Sequence, residues 1–290
     1  MLTLSALLAA TGALAALPGT PATAVTPAGA PAAVTTPAPT PPDPGPPPAG
    51  MVPGYDVSWP QCSTTQGGFG NPMPRGRTSF LLLGLSRGSA FTTNPCLATQ
   101  VAWARSHQVY VAAYVLPTYP TNAEYATQGG RGPYRTTTVT GRLMNVGWQQ
   151  AAYWVAARRR AGLTAPMVWI DIEQKPGRPW PDRPADRNLP VIRGLLAGFA
   201  HAGLLTGIYT TPSHWIQIAG GIRLGRPEWR TVGRRTAADA LAGCYRPGVQ
   251  GSPVLLAQYW SSAPSNPVDY DVMCPITRTG GRLARYFAKY

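Results

Sequence analysis

The segment Val168-Trp169-Ile170-Asp171-Ile172-Glu173 carries the clearest structural signal in the chain. It is typical of a buried strand, because apolar residues run through it and acids appear only at its end. Side chains alternate between the two faces of a strand, so Asp171 and Glu173 share one face while the isoleucines occupy the other. Two carboxylates on one buried face are costly without partners, which favours a functional site over core packing. A structural salt bridge to an arginine is the alternative interpretation.

Similar apolar segments alternate with helix-like segments along the rest of the chain. The pattern predicts eight strands, at residues 54–59, 80–85, 109–116, 167–173, 205–210, 229–233, 254–260 and 268–273. It predicts helices at residues 97–107, 145–163, 189–204 and 280–290. Strands that alternate with helices indicate a parallel sheet, and eight of them indicate an α/β fold closed into a TIM-like (β/α) barrel.

The barrel domain is predicted to cover residues 51–290. The first 50 residues contain no lysine, arginine or aromatic residue and cannot build a packed core. Residues 1–24 are predicted to be a signal peptide, because an apolar run precedes the small-residue site Ala22-Thr23-Ala24. A membrane anchor is the alternative, although the run is short for the ~20 residues that span a bilayer. Residues 25–50 are predicted to be a disordered linker rich in Pro, Ala and Thr.

The cysteines agree with export from the cell. The chain has four, and an even number in an exported protein suggests two disulfides. Proximity in sequence favours the pairs Cys62–Cys96 and Cys244–Cys274, although three pairings are possible. The cysteines and histidines lack the spacing of a zinc site, so we expect no metal and no cofactor.

The net charge of +14 favours anionic partners. For a secreted protein associated with the cell wall, anionic wall polymers are natural candidates. Nucleic acid is the alternative, but no recognition motif accompanies the charge, and we expect no nucleic-acid partner. A solvated basic surface without any partner is the third interpretation. We expect no stable membrane span.

Five of the 11 acidic residues fall on predicted strands. Asp56 ends the first, Asp171 and Glu173 end the fourth, and Asp269 and Asp271 lie on the eighth. The C-terminal strand ends of a (β/α) barrel form its active-site face, which would gather these acids at one rim. Cleavage of a glycosidic bond needs one protonated and one ionised carboxyl group. Glu173 is predicted to be the acid, with the charge of Asp171 raising its pKa.

Aromatic side chains are also concentrated at or just after the predicted strand ends. They are Trp59, Tyr114, Tyr119, Tyr209, Trp215, Tyr259 and Trp260. Sugar rings stack on such side chains in pockets that combine aromatic and polar groups, so the cluster favours a glycan ligand. Ordinary core packing is the alternative for any single member.

Four short motifs resemble the family 25 glycoside hydrolases, which are lysozyme-type enzymes. The segment Gly54-Tyr55-Asp56-Val57-Ser58-Trp59-Pro60-Gln61 is similar to the family's opening motif, and Trp169–Glu173 to its D-x-E strand. Gly207–Thr211 resembles its fifth strand. Ala257–Trp260, followed by Val268–Asp271, resembles its closing pair of strands. The motifs follow the family's order along nearly the whole barrel domain and are closest to an exported actinobacterial-type branch.

The resemblance implies a fold and an activity. The fold is a barrel of five β/α units followed by three strands. The activity is hydrolysis of the β-1,4 bond between N-acetylmuramic acid and N-acetylglucosamine in peptidoglycan. Glu173 would be the proton donor and Asp171 its partner, while Asp56 and Asp269 would line the subsite at the cleaved bond. The substrate-binding residues would be Trp59, Tyr114, Tyr209, Gln258, Trp260 and Asp271.

The sequence departs from the family at Asp271, where the family usually has asparagine, and in an insertion at residues 121–146. These departures leave a second interpretation open, in which the barrel binds cell-wall glycan but cleaves it weakly or not at all. Hydrolysis of another glycan or of an amide is a third.

Overall fold

The computed structural model describes residues 51–260 and 268–290. The predicted signal peptide, residues 1–24, and the predicted linker, residues 25–50, lie outside the described residues. Within the two described ranges, no helix is both long enough and apolar enough to cross a membrane.

The described chain contains nine strands and seven α-helices. The strands are β1 (Pro53–Val57), β2 (Phe80–Gly84), β3 (Tyr110–Val115), β4 (Met167–Asp171), β5 (Leu205–Thr210), β6 (Glu228–Arg234), β7 (Val254–Trp260), β8 (Asp269–Met273) and β9 (Ala288–Lys289). The helices are α1 (Leu97–Ser106), α2 (Asn122–Gln128), α3 (Val139–Arg160), α4 (Leu189–His201), α5 (Pro212–Ala219), α6 (Ala237–Gly243) and α7 (Arg282–Tyr286).

Strands β1 to β8 close into a barrel. Each strand from β1 to β7 runs parallel to the next, in the order β1, β2, β3, β4, β5, β6, β7. Strand β8 closes the ring because it pairs antiparallel with both β7 and β1. The predicted TIM-like barrel is therefore confirmed, with one strand that runs against the others.

The predicted count of five β/α units followed by three strands is not confirmed. An α-helix follows each strand from β2 to β6, but β1 and β2 are joined only by the short 3-10 turns Trp59–Gln61 and Thr64–Gln66. The connection between these strands is rich in glycine and proline, which disfavour an α-helix. The short helix α6, which the sequence analysis did not predict, separates β6 from β7.

The predicted helix at residues 280–290 is wrong over much of its length. Gly280 and Gly281 both have positive φ angles, and α7 begins only after them. The chain is extended again from Phe287, and β9 pairs antiparallel with the start of β3. In this extended conformation the Phe287 side chain is buried. Its ring packs edge-on against the Phe80 ring at a centroid distance of 5.8 Å.

Two disulfides join the cysteines that are nearest in sequence. Cys62–Cys96 ties the turn after β1 to the start of α1. Cys244–Cys274 ties the end of α6 to the end of β8. Crosslinks of this kind stabilise a fold by about 2–4 kcal/mol, chiefly because they constrain the unfolded chain.

The strand side chains divide into an inner and an outer layer. The barrel interior contains Phe80, Leu82, Met167, Trp169, Trp229 and Leu256. Val168, Ile170 and Ile172 belong to the outer cluster that packs under the helices, as the alternation in β4 predicts.

Glycine is needed where the largest rings cross the interior. A Cβ atom on Gly207 would lie 2.3 Å from the Trp169 ring, and one on Gly54 would lie 2.3 Å from Phe80.

Candidate active site

A cavity of about 320 Å³ opens at the end of the barrel where the parallel strands finish. Its wall consists of Asp56, Ser58, Trp59, Ser86, Gly88, Tyr114, Leu116, Asp171, Glu173, Tyr209, Trp229, Gln258, Trp260 and Asp269. All the residues predicted for catalysis or substrate binding lie in this wall except Asp271. The barrel thus brings together side chains that are more than 200 positions apart in sequence, such as Asp56 and Gln258.

Strand β4 and the residues after it supply two of the four carboxylates in the wall. Asp171 is the last residue of β4 and is buried, and Glu173 follows two positions later and is half-buried. The residue between them is fixed by β5: the Ile172 amide donates to the Tyr209 carbonyl at 2.8 Å, and its carbonyl accepts from Thr210 Oγ1 at 2.8 Å. With Ile172 held against the helix layer, both acids lie in the cavity wall.

Asp56 and Asp269 lie opposite each other on the paired strands β1 and β8. Asp269 reaches the rim because it is the first residue of the one antiparallel strand, whereas the other strands reach the rim at their ends. Gln258 Nε2 donates to Asp56 Oδ2 at 2.8 Å, and Tyr209 Oη donates to Gln258 Oε1 at 2.7 Å. This chain of hydrogen bonds fixes the amide of Gln258 as a donor to Asp56.

Burial raises the pKa of every carboxyl group in the wall. For Asp56, burial and then the charge of Asp269 raise the pKa to about 8, against hydrogen bonds that lower it. Burial raises the pKa of Asp269 to about 6. Burial, followed by the charges of Glu173 and Asp56, raises the pKa of Asp171 well above its usual range. The site can therefore hold protons in the pH range in which ordinary carboxyl groups have lost them.

Glu173 and Asp171 interact as like charges, as the sequence predicts, and this interaction raises the pKa of Asp171, the more deeply buried acid of the two. For Glu173 burial is the largest cause of the raised pKa; the Lys175 ammonium opposes it, and the charge of Asp269 adds to it. The contribution of Asp269 was not predicted, because it comes from a distant strand.

The prediction that Asp271 binds substrate is also wrong. Because β8 runs antiparallel, moving from Asp269 to Asp271 leads down into the barrel, where Asp271 is 1% exposed. Its Oδ1 accepts from Trp229 Nε1 at 2.7 Å. Its Oδ2 is buried without a hydrogen-bond partner, and burial followed by the Asp56 charge raises the pKa of Asp271 well above the usual range. Burial therefore favours the neutral form of this carboxyl group, which serves the barrel interior as the acceptor for Trp229.

Replacing Asp271 with asparagine is expected to change the free energy of unfolding little, because the amide oxygen can accept from Trp229 in place of Oδ1. Replacing it with leucine is expected to cost about 1–3 kcal/mol more, since it leaves the Trp229 indole N–H buried without an acceptor. An acid with a raised folded-state pKa contributes most at low pH and loses that contribution as the pH rises. The free energy of unfolding of Asp271→Asn should therefore depend less on pH than that of the wild type. Urea unfolding across a pH series measures both effects, and equal stability of the two variants would contradict this role.

The aromatic side chains predicted to bind sugar separate into two groups. Trp59, Tyr114, Tyr209 and Trp260 line the cavity, and Trp260 is 40% exposed at its rim. Tyr119, Trp215 and Tyr259 do not line it. Tyr119 packs against Trp180, Trp215 is buried and donates to the Ile222 carbonyl, and Tyr259 stacks on Tyr270.

Five residues of the cavity wall were not predicted as site residues, and Trp229 is the aromatic one; the others are Ser58, Ser86, Gly88 and Leu116. The Trp229 ring contacts those of Tyr209 and Tyr114, with centroid distances of 4.5 and 5.6 Å. The sixth strand was predicted to begin at Trp229, but β6 begins one residue earlier, at Glu228. The signal available in the sequence was a tryptophan flanked by two charged residues, which indicates an inward-facing ring between outward-facing charges.

Comparison with known proteins supports the fold. No family model matches the chain, and no curated protein matches it. Among solved structures, a muramidase from Acremonium alcalophilum has a TM-score of 0.52 at 18% identity, covering 80% of this chain and 96% of that one. A lysozyme from Streptomyces coelicolor has a TM-score of 0.50 at 18% identity, covering 82% and 98%. The spore cortex lytic enzyme SleM from Clostridium perfringens has a TM-score of 0.50 at 11% identity, covering 77% and 67%. The chain therefore has the barrel fold of these lysozyme-type proteins.

Proposed function

We propose that this protein is a secreted glycoside hydrolase of the lysozyme (muramidase) type, which cleaves β-1,4 bonds in peptidoglycan and leaves muramic acid at the new reducing end. The observation that carries the proposal is the meeting of four carboxyl groups, from β1, β8 and the end of β4, in one cavity lined by aromatic rings. Glycosidic cleavage requires a carboxylic acid and a carboxylate on either side of the bond. The titration behaviour of these groups differs, which suits them to different roles.

Glu173 is proposed to donate a proton to the leaving oxygen. It is half-buried, whereas Asp56 and Asp171 are buried, so it is the most accessible of these three acids to a substrate. Burial raises the pKa of Glu173, the Lys175 ammonium opposes that rise, and the charge of Asp269 adds to it. A general acid is most effective when its pKa lies near the working pH.

Asp269 and Asp56 are proposed to stabilise the positive charge that develops on the sugar carbon. Asp269 has the lower pKa of the two and ionises first. The Gln258 amide donates a hydrogen bond to Asp56, which favours the charged form of Asp56. Asp171, with its pKa raised well above the usual range, is proposed to stay protonated beside Glu173 as a hydrogen-bond donor.

Export and wall association complete the proposal. The two disulfides support a secreted protein. The net charge of +14 supports attraction to a negatively charged wall, including its anionic polymers.

A suspension of purified peptidoglycan tests the activity. We expect the wild-type protein to lower the turbidity of the suspension and to release reducing sugar. Sedimentation of the protein with peptidoglycan, without any release of reducing sugar, would favour the alternative of a glycan-binding barrel. Failure to sediment and to cleave would exclude both.

The pH dependence of cleavage is expected to change in Asp269→Asn. The charge of Asp269 raises the pKa of Glu173, so removing it lowers that pKa. The general acid then loses its proton at lower pH, and the basic limb of the activity profile moves toward acidic pH, whatever the loss in maximal rate. The measurement is the rate of reducing-sugar release across a pH series. The matched control is Asp182→Asn, an exposed acid, and a basic limb that stays in place in Asp269→Asn would contradict the assignment.

A further inference from the structure

Positively charged side chains lie beside one part of the cavity wall, and the proposed function gives them no role in binding the substrate. We define the cationic flank as Trp59, Phe69, Arg87 and Lys175. Trp59 belongs to the turn after β1, Arg87 to the loop after β2 and Lys175 to the loop after β4. These loops all follow the ends of parallel strands, so the flank lies at the mouth of the cavity rather than inside the barrel.

Gly88 is the point at which the flank meets the cavity. Both Gly88 and Trp59 line the cavity wall. A Cβ atom on Gly88 would lie 2.8 Å from Lys175 Nζ and 3.4 Å from Trp59 Nε1. The ammonium group and the indole N–H therefore both lie against Gly88 in the cavity wall, where the missing side chain leaves room for them. Both groups are hydrogen-bond donors.

Arg87 and Phe69 extend this surface outward from Trp59. The Arg87 guanidinium carbon lies 5.7 Å from the centroid of the Trp59 ring, and its Nη2 donates to the Gly67 carbonyl at 2.8 Å. The Phe69 ring packs edge-on against Trp59 with a centroid distance of 4.7 Å, yet Phe69 is 65% exposed. The flank thus offers an apolar ring face beside a fixed guanidinium group.

The two cations are not neutralised by ion pairs within the described residues. The ion pairs there join Arg178 to Glu124, Arg183 to Asp186 and Arg230 to Glu228. Lys175 acts on the cavity electrostatically, since its charge lowers the pKa of both Glu173 and Asp171. Arg87 makes one hydrogen bond to a carbonyl, which leaves most of its N–H donors for a ligand.

We propose that the cationic flank binds a carboxylate carried by the glycan, so that the site selects acidic wall glycans over neutral glucosamine polymers. This inference rests on the proposed peptidoglycan substrate and names the feature of it that the flank recognises. A carboxylate fits because lysine and arginine together form charge-assisted hydrogen bonds with it, while the adjacent rings cover the sugar face. The flank also orients the chain, since a negative substituent is attracted to it and repelled by the ionised acids opposite.

The carboxylate has two sources in peptidoglycan: the lactyl ether of the muramic acid residue, and the attached peptide. The test uses Glu173→Gln as background so that binding is measured without turnover, by quenching of tryptophan fluorescence. The three probes are a neutral N-acetylglucosamine tetramer, a peptide-free peptidoglycan tetrasaccharide and the same tetrasaccharide carrying its peptides. We expect at least one acidic probe to bind about tenfold more tightly than the neutral one. Tight binding of the peptide-free probe assigns the lactyl carboxylate, and tight binding of only the peptide-bearing probe assigns the peptide.

Two substitutions are each added to this background: Lys175→Met and Arg87→Met. Each is expected to remove most of the preference for acidic probes. The affinity for the neutral tetramer should stay unchanged in both. The matched control is Lys289→Met, which changes an exposed lysine on β9, beside the start of β3 and away from the cavity. Added salt should weaken acidic-probe binding in the background protein more than in Lys175→Met. Equal affinity for all three probes, or an undiminished preference in both Met variants, would overturn the proposal. Cleavage by the wild type is a separate readout, so failure of the proposed activity remains distinguishable from failure of this inference.

Discussion

Replacing Glu173 with glutamine is expected to lower the rate of peptidoglycan cleavage by about 10²–10⁴-fold, the usual contribution of a general acid. Glutamine has nearly the same shape but carries no acidic proton. Glu173 is only half-buried and follows the end of β4, so the fold should tolerate the change. The measurement is the initial rate of reducing-sugar release, with thermal unfolding as the check on folding.

The matched control is Glu124→Gln. Glu124 caps α2 and pairs with Arg178 near the surface, and it does not line the cavity. Surface ion pairs contribute little, so this variant should keep nearly full activity. Full activity in Glu173→Gln, in a preparation where the wild type is active, would show that another group donates the proton.

The largest effect on stability is expected from Arg230→Met. Glu228 is fully buried, and Arg230 Nε donates to its Oε1 at 2.7 Å. Methionine would leave this carboxylate without its cation inside the protein, and breaking a buried pair in this way typically costs about 3–5 kcal/mol. The two residues flank Trp229, so the pair also holds the strand that presents this ring to the cavity. Urea unfolding measures the loss.

Two comparisons separate this explanation from a general effect of removing arginine. Arg235→Met, at an exposed position just after β6, should leave the free energy of unfolding nearly unchanged. The double variant Glu228→Gln/Arg230→Met should recover much of the stability, because no unpaired charge remains buried. An Arg230→Met variant as stable as the wild type would show that the pair contributes nothing.

The features that the sequence predicted well are those set by local patterns. The period-2 alternation in β4 correctly placed Ile170 and Ile172 on the face opposite the acids, and the apolar run at residues 80–85 correctly indicated the strand β2. The end of β7 at Trp260 was also predicted to the residue. These features depend on which side chains lie next to each other in the chain, and such information is present in any single sequence.

The features that the sequence did not predict depend on strand direction and on contacts between distant loops. An apolar strand looks the same in either direction, so nothing marked β8 as antiparallel, and Asp271 was placed at the rim instead of beneath Asp56. The sequence did not predict the cationic flank for a similar reason. Arg87 and Lys175 are 88 positions apart, and they approach the same cavity only because the barrel brings their loops together.

Identification of the sugar at the new reducing end tests the central claim most directly. Purified peptidoglycan is digested with the wild-type protein, the products are reduced with borohydride, and the reduced sugar is identified by mass spectrometry after acid hydrolysis. The proposed activity predicts reduced muramic acid, in an amount that grows with digestion time and is lost in Glu173→Gln. Reduced glucosamine in its place, or no reduced sugar from wild-type protein that binds the glycan, would contradict the proposed activity.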